Sequence, residues 1–337
     1  MPDVESGYAP AEGGEMYWES RGEGGTPLVL VHGGYGLASD FRELSEHWSR
    51  GRRVISVELP GHGHNRRSKA GPFTWEELGD DVASLIRHLG LGEADLLGYS
   101  LGGGASLRCA MQHPALVRRL VLLSAPHRRS AWFPEILAAF DGMDATLFDQ
   151  FKQGPLYTAW REVAPDDTAL PALIEATGGL LRQPYDWSDS VAGLPMPLLL
   201  VFGDADSIPP SVVAEFFGLL GGGKRDAGWD GAGRPASRLA ILPGSTHYTM
   251  LDASSLPTIV EEFLALPGLR RGRRSGNCAI AAVPERAYLP HCCRQGDSNA
   301  GEESASRFPV PASSFPLRVP AAGIGSAILE LGCVRGG

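Results

Sequence analysis

Ala94-Asp-Leu-Leu-Gly98-Tyr99-Ser100-Leu101-Gly102-Gly103-Gly104 joins a short apolar run to a small-residue run through a serine bracketed by glycines. A strand-to-helix turn this tight forces its central residue into a strained backbone conformation. Gly98 and Gly102 lack the Cβ atoms that would clash on either side of it. Ser100 is therefore expected to project from the carboxyl end of a strand, its hydroxyl at the N-terminus of the next helix. Unpaired N–H groups and the positive end of the helix dipole at that place favour a developing oxyanion. The bland alternative is a serine N-cap in a glycine-rich turn.

Outward from this turn, residues 16 to 266 alternate short apolar runs with amphipathic ones, the pattern of a mostly parallel central sheet with helices on both faces. Leu28-Val-Leu-Val31 and Arg53-Val-Ile-Ser-Val-Glu-Leu59 read as strands, the second stopped by Pro60-Gly61, with Ser39 to Trp48 as the helix between them. Thr74 followed three residues on by Glu77 is a capping-box pattern. Leu78, Val82, Leu85, Ile86 and Leu89 then fall on one helical stripe. Leu120-Val-Leu-Leu123, Pro197 to Phe202 and Leu239 to Leu242 read as further strands, and Thr258 to Leu266 as a closing helix.

Three stretches break this rhythm. Residues 127–195 are rich in aromatics and hold helix-like pieces such as Pro134 to Phe140, which suggests a helical cap inserted into a core made of residues 1–126 and 196–268. Gly221 to Ser237 reads as a long surface loop. Residues 269–337 carry Arg270-Arg-Gly-Arg-Arg274, scattered cysteines and little periodicity, and read as a disordered extension whose arginines form a solvated basic linker.

Composition narrows the function. In 337 residues, 43% are hydrophobic and 20% charged, enough apolar material for a large core without a disulfide scaffold. A net charge of −9 argues against binding nucleic acid through phosphate neutralisation. Met1 to Pro10 lacks the basic start and apolar run of a secretory signal, and Leu194 to Gly203 is too short to span a bilayer. Five cysteines, of which only Cys109 precedes the tail, suggest free thiols in a reducing compartment, so a cytoplasmic protein that does not bind membranes is expected. The oligomeric state is not legible.

A serine hydroxyl needs a base to remove its proton during attack. Among nine histidines, His247 lies in Leu242-Pro-Gly-Ser-Thr-His247, after the last strand, and reaches the same sheet edge as Ser100. His32, His62 and His64 sit on loops at that edge but precede the serine, and His88 and His113 fall near helix ends. An acid must hold the imidazole in the right tautomer. Val201-Phe-Gly-Asp-Ala-Asp206 follows a strand and offers two carboxylates; Asp206 is the choice for this role, with Asp204 as the alternative that braces the loop. The segment Ser124-Ala-Pro-His127 supplies no carboxylate. In Val31-His32-Gly33-Gly34-Tyr35-Gly36, the Gly34 N–H would join that of Leu101 to bind the oxyanion, with His32 fixing the loop. Tyr35, Tyr99 and Trp132 are the candidate substrate contacts. No metal or organic cofactor is called for.

These elements together resemble the α/β-hydrolase superfamily: the His32-Gly-Gly-Tyr-Gly loop, Leu59-Pro-Gly-His-Gly63, the elbow at Ser100, Gly203-Asp-Ala-Asp206 and His247, in the order serine, acid, histidine. Within it the chain is similar to small bacterial esterases, enol-lactone hydrolases and cofactor-free haloperoxidases. The resemblance implies hydrolysis of a small-molecule carboxylic ester of small to medium acyl chain through an acyl-enzyme. Lactone or carbon–carbon bond hydrolysis on the same triad, or a non-catalytic ligand receptor on the same fold, are the alternatives. Haloalkane dehalogenase and epoxide hydrolase readings fail, since both need a carboxylate at position 100. Two departures, Glu58 where relatives often have Asp and Asn65 where Ser or Thr is usual, bear on substrate range.

Overall fold

A computed structural model describes residues 4–67, 69–164 and 168–267. The expected tail, with its arginine cluster and four cysteines, lies outside the described residues. The chain runs β1 (Glu5–Ala11), β2 (Gly14–Arg21), β3 (Leu28–Val31), α1 (Arg42–Trp48), β4 (Val54–Val57), α2 (Trp75–His88), β5 (Ala94–Tyr99), α3 (Leu101–Gln112) and β6 (Val117–Leu123). Helices α4 (Pro134–Asp141), α5 (Phe148–Phe151), α6 (Pro155–Val163), α7 (Leu170–Arg182) and α8 (Ser188–Ala192) follow. The chain then returns through β7 (Leu198–Ala205), α9 (Pro210–Leu219), β8 (Arg238–Thr246) and α10 (Leu256–Leu264).

The eight strands form one sheet in the order β1-β2-β4-β3-β5-β6-β7-β8. Strands β3 to β8 pair in parallel, whereas β1 pairs antiparallel with β2, and β2 antiparallel with β4. The sequence reading missed that N-terminal hairpin. β2 buries only alternate residues, Met16, Trp18 and Ser20, so it shows no continuous apolar run, and β1, an edge strand, buries only Ala9.

The central strands are fully buried and divide their side chains by parity. Val29, Val31, Ala94 and Leu96 face a core shared with α2, α3 and α9; Leu28, Leu30, Leu97 and Tyr99 face a second core shared with α1 and α10. α2 begins at the anticipated box: the Glu77 N–H donates to Thr74 Oγ1 at 3.1 Å, and the Thr74 N–H to Glu77 Oε2 at 3.2 Å. Behind the sheet, Arg119 is buried and donates to the carbonyls of Leu264 and Leu266, which ties the end of α10 to β6. Among the described residues no helix is long and apolar enough to cross a membrane.

Candidate active site

The turn from β5 into α3 has the shape the glycines implied. Ser100 sits at φ 52° and ψ −117°, a region that costs a non-glycine residue on the order of 1–3 kcal/mol. Both glycines are required by contact. A Cβ at Gly98 would lie 2.3 Å from the Gly102 carbonyl oxygen, and one at Gly102 would lie 2.3 Å from the carbonyl oxygens of Val31 and His32. The close packing of α3 on β3 therefore fixes where the serine hydroxyl emerges.

His247 follows β8 and reaches the serine: Nε2 is 3.0 Å from Ser100 Oγ, and Nδ1 is 3.0 Å from Asp206 Oδ1. A carboxylate only accepts, so Nδ1 carries the proton and Nε2 is left as the acceptor facing the hydroxyl. The Tyr99 hydroxyl donates to the His247 carbonyl at 2.6 Å, and the Trp132 ring stands edge-on to the imidazole at 5.3 Å.

The register of β7 on β8 selects the acid. Gly203 pairs with Leu242, but Ala205 pairs with Thr246, so β8 bulges by two residues and brings positions 206 and 247 side by side. A Cβ on Gly203 would come 1.9 Å from the Ser245 carbonyl oxygen, so the bulge needs glycine there. Asp204 is spent on the bulge itself, its carboxylate accepting from the Gly244 N–H at 2.7 Å. Asp206 is buried and accepts from four donors: His247, the Ser124 hydroxyl at 2.5 Å, the Gly203 N–H at 3.2 Å and the Ser207 N–H at 2.7 Å. Burial alone would raise this carboxyl, but the hydrogen bonds and the adjacent imidazole outweigh it and hold the group below its ordinary value.

Ser124 was passed over in the sequence because its segment lacked a carboxylate. Its left-handed φ of 50° directly after β6 marks it only in three dimensions.

The His32 loop presents its backbone to the same point. Leu59 N–H donates to His32 Nε2 at 3.0 Å, so the other nitrogen, Nδ1, holds the proton and donates to the Gly33 carbonyl at 2.6 Å. Gly36 N–H also donates to that carbonyl, at 3.1 Å. In a trans peptide the carbonyl and the following N–H point opposite ways, so pinning Gly33 O turns the Gly34 N–H outward. That N–H has no partner among the described residues. Leu101 opens α3, where first-turn N–H groups are unpaired by geometry. His32 is fully buried, and desolvation lowers it to about 3, so it stays neutral.

These groups line one pocket of about 60 Å³, room for a few water molecules. Gly33, Gly34, Tyr35, Ser100, Leu101 and His247 contribute to it from the sheet edge, and Trp132, Ile136, Phe140, Met143, Thr177, Leu181 and Tyr185 from the segment between β6 and β7. All three candidate substrate contacts line it, although Tyr99 and Tyr35 are also engaged structurally. Ser207, Tyr248 and Asp40 line it too and were not anticipated. Glu58 and Asn65 do not. Glu58 accepts from the N–H groups of Ala38 and His64, and Asn65 bridges Tyr17 N–H to the Glu58 and Leu59 carbonyls. Both departures brace the turn after β4, beside the pocket rather than in its lining. Among the described residues no cluster of three or more His, Cys, Asp or Glu is arranged to hold a metal.

Comparison with known proteins agrees with this architecture. A family model described as alpha/beta hydrolase fold matches residues 26–159. The chain is 30% identical over 274 residues to the dihydrolipoyllysine-residue acetyltransferase component of the acetoin cleaving system of Pseudomonas putida, covering 75% of this chain and 68% of that protein. It is 28% identical over 253 residues to the pimeloyl-[acyl-carrier protein] methyl ester esterase of Yersinia enterocolitica, covering 69% and 90%. Among solved structures, carboxylesterase CesB (YbfK) from Bacillus subtilis superposes with a TM-score of 0.59 at 20% identity, over 78% of this chain and 92% of that one. With the strand order and these matches together, the chain belongs to the alpha/beta hydrolase family.

Proposed function

We propose that the protein hydrolyses carboxylic esters of small to medium acyl chain through an acyl-enzyme, with Ser100 as nucleophile, His247 as general base and acid, and Asp206 as the orienting carboxylate. The observation that carries the reading is the continuous chain Ser100 Oγ–His247 Nε2, 3.0 Å, and His247 Nδ1–Asp206 Oδ1, 3.0 Å. Ser100 Oγ bonds to the ester carbonyl carbon as its proton passes to His247 Nε2, and the oxyanion sits against the N–H groups of Gly34 and Leu101. Collapse breaks the bond to the alkoxy oxygen, which takes the proton from His247 and leaves as alcohol. Water, deprotonated by the same imidazole, then releases the acid and restores the hydroxyl.

Helices α4 to α8 serve in this reading as a cap whose aromatic side chains hold the acyl group. The free, buried thiol of Cys109 supports a cytoplasmic setting. A panel of nitrophenyl esters of increasing acyl length, run beside lactones, tests the proposal. Turnover of short esters that vanishes in Ser100→Ala and His247→Ala is expected, with labelling of Ser100 by a fluorophosphonate. An unlabelled serine, or lactone turnover with no ester turnover, overturns it.

A further inference from the structure

Gly33 to Gly36 form a turn closed by the Gly36 N–H on the Gly33 carbonyl at 3.1 Å, and its third position is Tyr35 at φ 61°. That position favours glycine, because a Cβ is strained in the left-handed region. A bulky tyrosine persists there only if its side chain is held by something outside the turn. The His62 ring, on the turn after β4, lies 6.3 Å from the tyrosine ring, and two closer holders come from the segment between β6 and β7. The Tyr35 hydroxyl donates to Met143 Sδ at 3.1 Å, and its ring meets Phe151 edge-on at 4.9 Å. Burial pushes the phenol well above its ordinary value. Tyr35, Met143, Phe151 and Thr177 are each at most 4% exposed.

We propose that Tyr35 is a positioning residue that couples the helices between β6 and β7 to the oxyanion loop, so that the Gly34 N–H is aimed only while Met143 and Phe151 grip the tyrosine. The inference rests on the proposed ester hydrolysis for its kinetic consequence, but not for its structural one. When the helices seat, the strained turn is locked and the donor faces Ser100. When they lift, the turn relaxes and the donor swings away. Seating of these helices over an acyl group would thus complete the oxyanion site.

The test uses the full chain with Tyr35→Phe, Met143→Leu and the double variant. Expected are a kcat about five- to twentyfold lower for Tyr35→Phe with KM changed less than about twofold, a defect in the same direction for Met143→Leu, and a double variant no worse than the more severe single one. Binding of a trifluoromethyl ketone, which forms the oxyanion, should weaken in parallel with kcat, while binding of the product acid should not. Amide hydrogen exchange over residues 33–37 should quicken in both single variants. Wild-type failure on every ester would remove the proposed function and leave the exchange result to decide the coupling. Unchanged exchange, defects that simply multiply in the double variant, or a lowered melting temperature with kcat intact would overturn the coupling.

Discussion

Replacing Gly34 by proline deletes one N–H from the oxyanion loop and puts the ring Cδ where that hydrogen pointed. Gly34 is the second residue of the turn closed by Gly36, and it is not among the positive-φ residues. Proline, with φ fixed near −65°, is favoured at that position. A Cβ at Gly34 meets no atom within 4 Å. The substitution should leave the fold intact, and by narrowing the unfolded ensemble it should add about 0.4–1 kcal/mol of stability. The N–H it removes has no other partner among the described residues, so its loss falls on the transition state, and the Cδ in its place adds to that loss. One oxyanion donor contributes about 3–4 kcal/mol, which predicts a fall in acylation rate of about 10²- to 10³-fold. Stopped-flow release of nitrophenol from a short-chain ester gives that rate, and a thermal melt on the same samples reports the fold. Gly34→Ala keeps the donor and calibrates the contribution of the added Cβ. A Gly34→Pro rate within threefold of Gly34→Ala, with both proteins folded, would refute the assignment of the Gly34 N–H.

Three further outcomes follow from the same geometry. Ser124→Ala removes one of four donors to a buried carboxylate, so urea denaturation at pH 7 should show a loss of about 1.5–3 kcal/mol. Because the Asp206 carboxyl is held low in the fold, that contribution is present above its unfolded value and fades as pH falls through the folded one; the gap between the proteins should close in acid. Asp206→Asn should lower kcat by several orders of magnitude, whereas Asp204→Asn should mainly loosen the β8 bulge; the reverse ranking in an esterase assay would move the orienting role to Asp204. His32 and His62 are buried and lowered by desolvation to about 3 and about 4, so below pH 6.5 the unfolded chain takes up protons that the fold refuses. Each should withdraw on the order of 2 kcal/mol between pH 8 and pH 5, and Asp40 and Asp81, raised by burial to about 6, return part of it. Urea midpoints against pH should fall less steeply toward acid in His62→Asn than in the wild type; equal slopes would show that His62 is not buried neutral.

Local sterics and periodicity made the central fold and two members of the site readable in the chain. Gly98 and Gly102 around Ser100 report a contact made within a few residues, and the stripe behind Thr74 reports one helical face. The hairpin of β1 and β2 was hidden because β2 buries only alternate residues and the edge strand β1 buries only Ala9. The sequence by itself determined that a serine would emerge at a strand–helix turn and that a histidine after the last strand would be its partner, since both follow from short-range backbone constraints and strand order. Asp206 was already preferred to Asp204 in the chain, and tertiary structure added the contact with His247 itself, the support from Ser124 and the grip on Tyr35 from across the pocket. Those contacts depend on a two-residue bulge between β7 and β8 and on side chains more than a hundred positions apart, and register and long-range packing leave no local trace in the sequence.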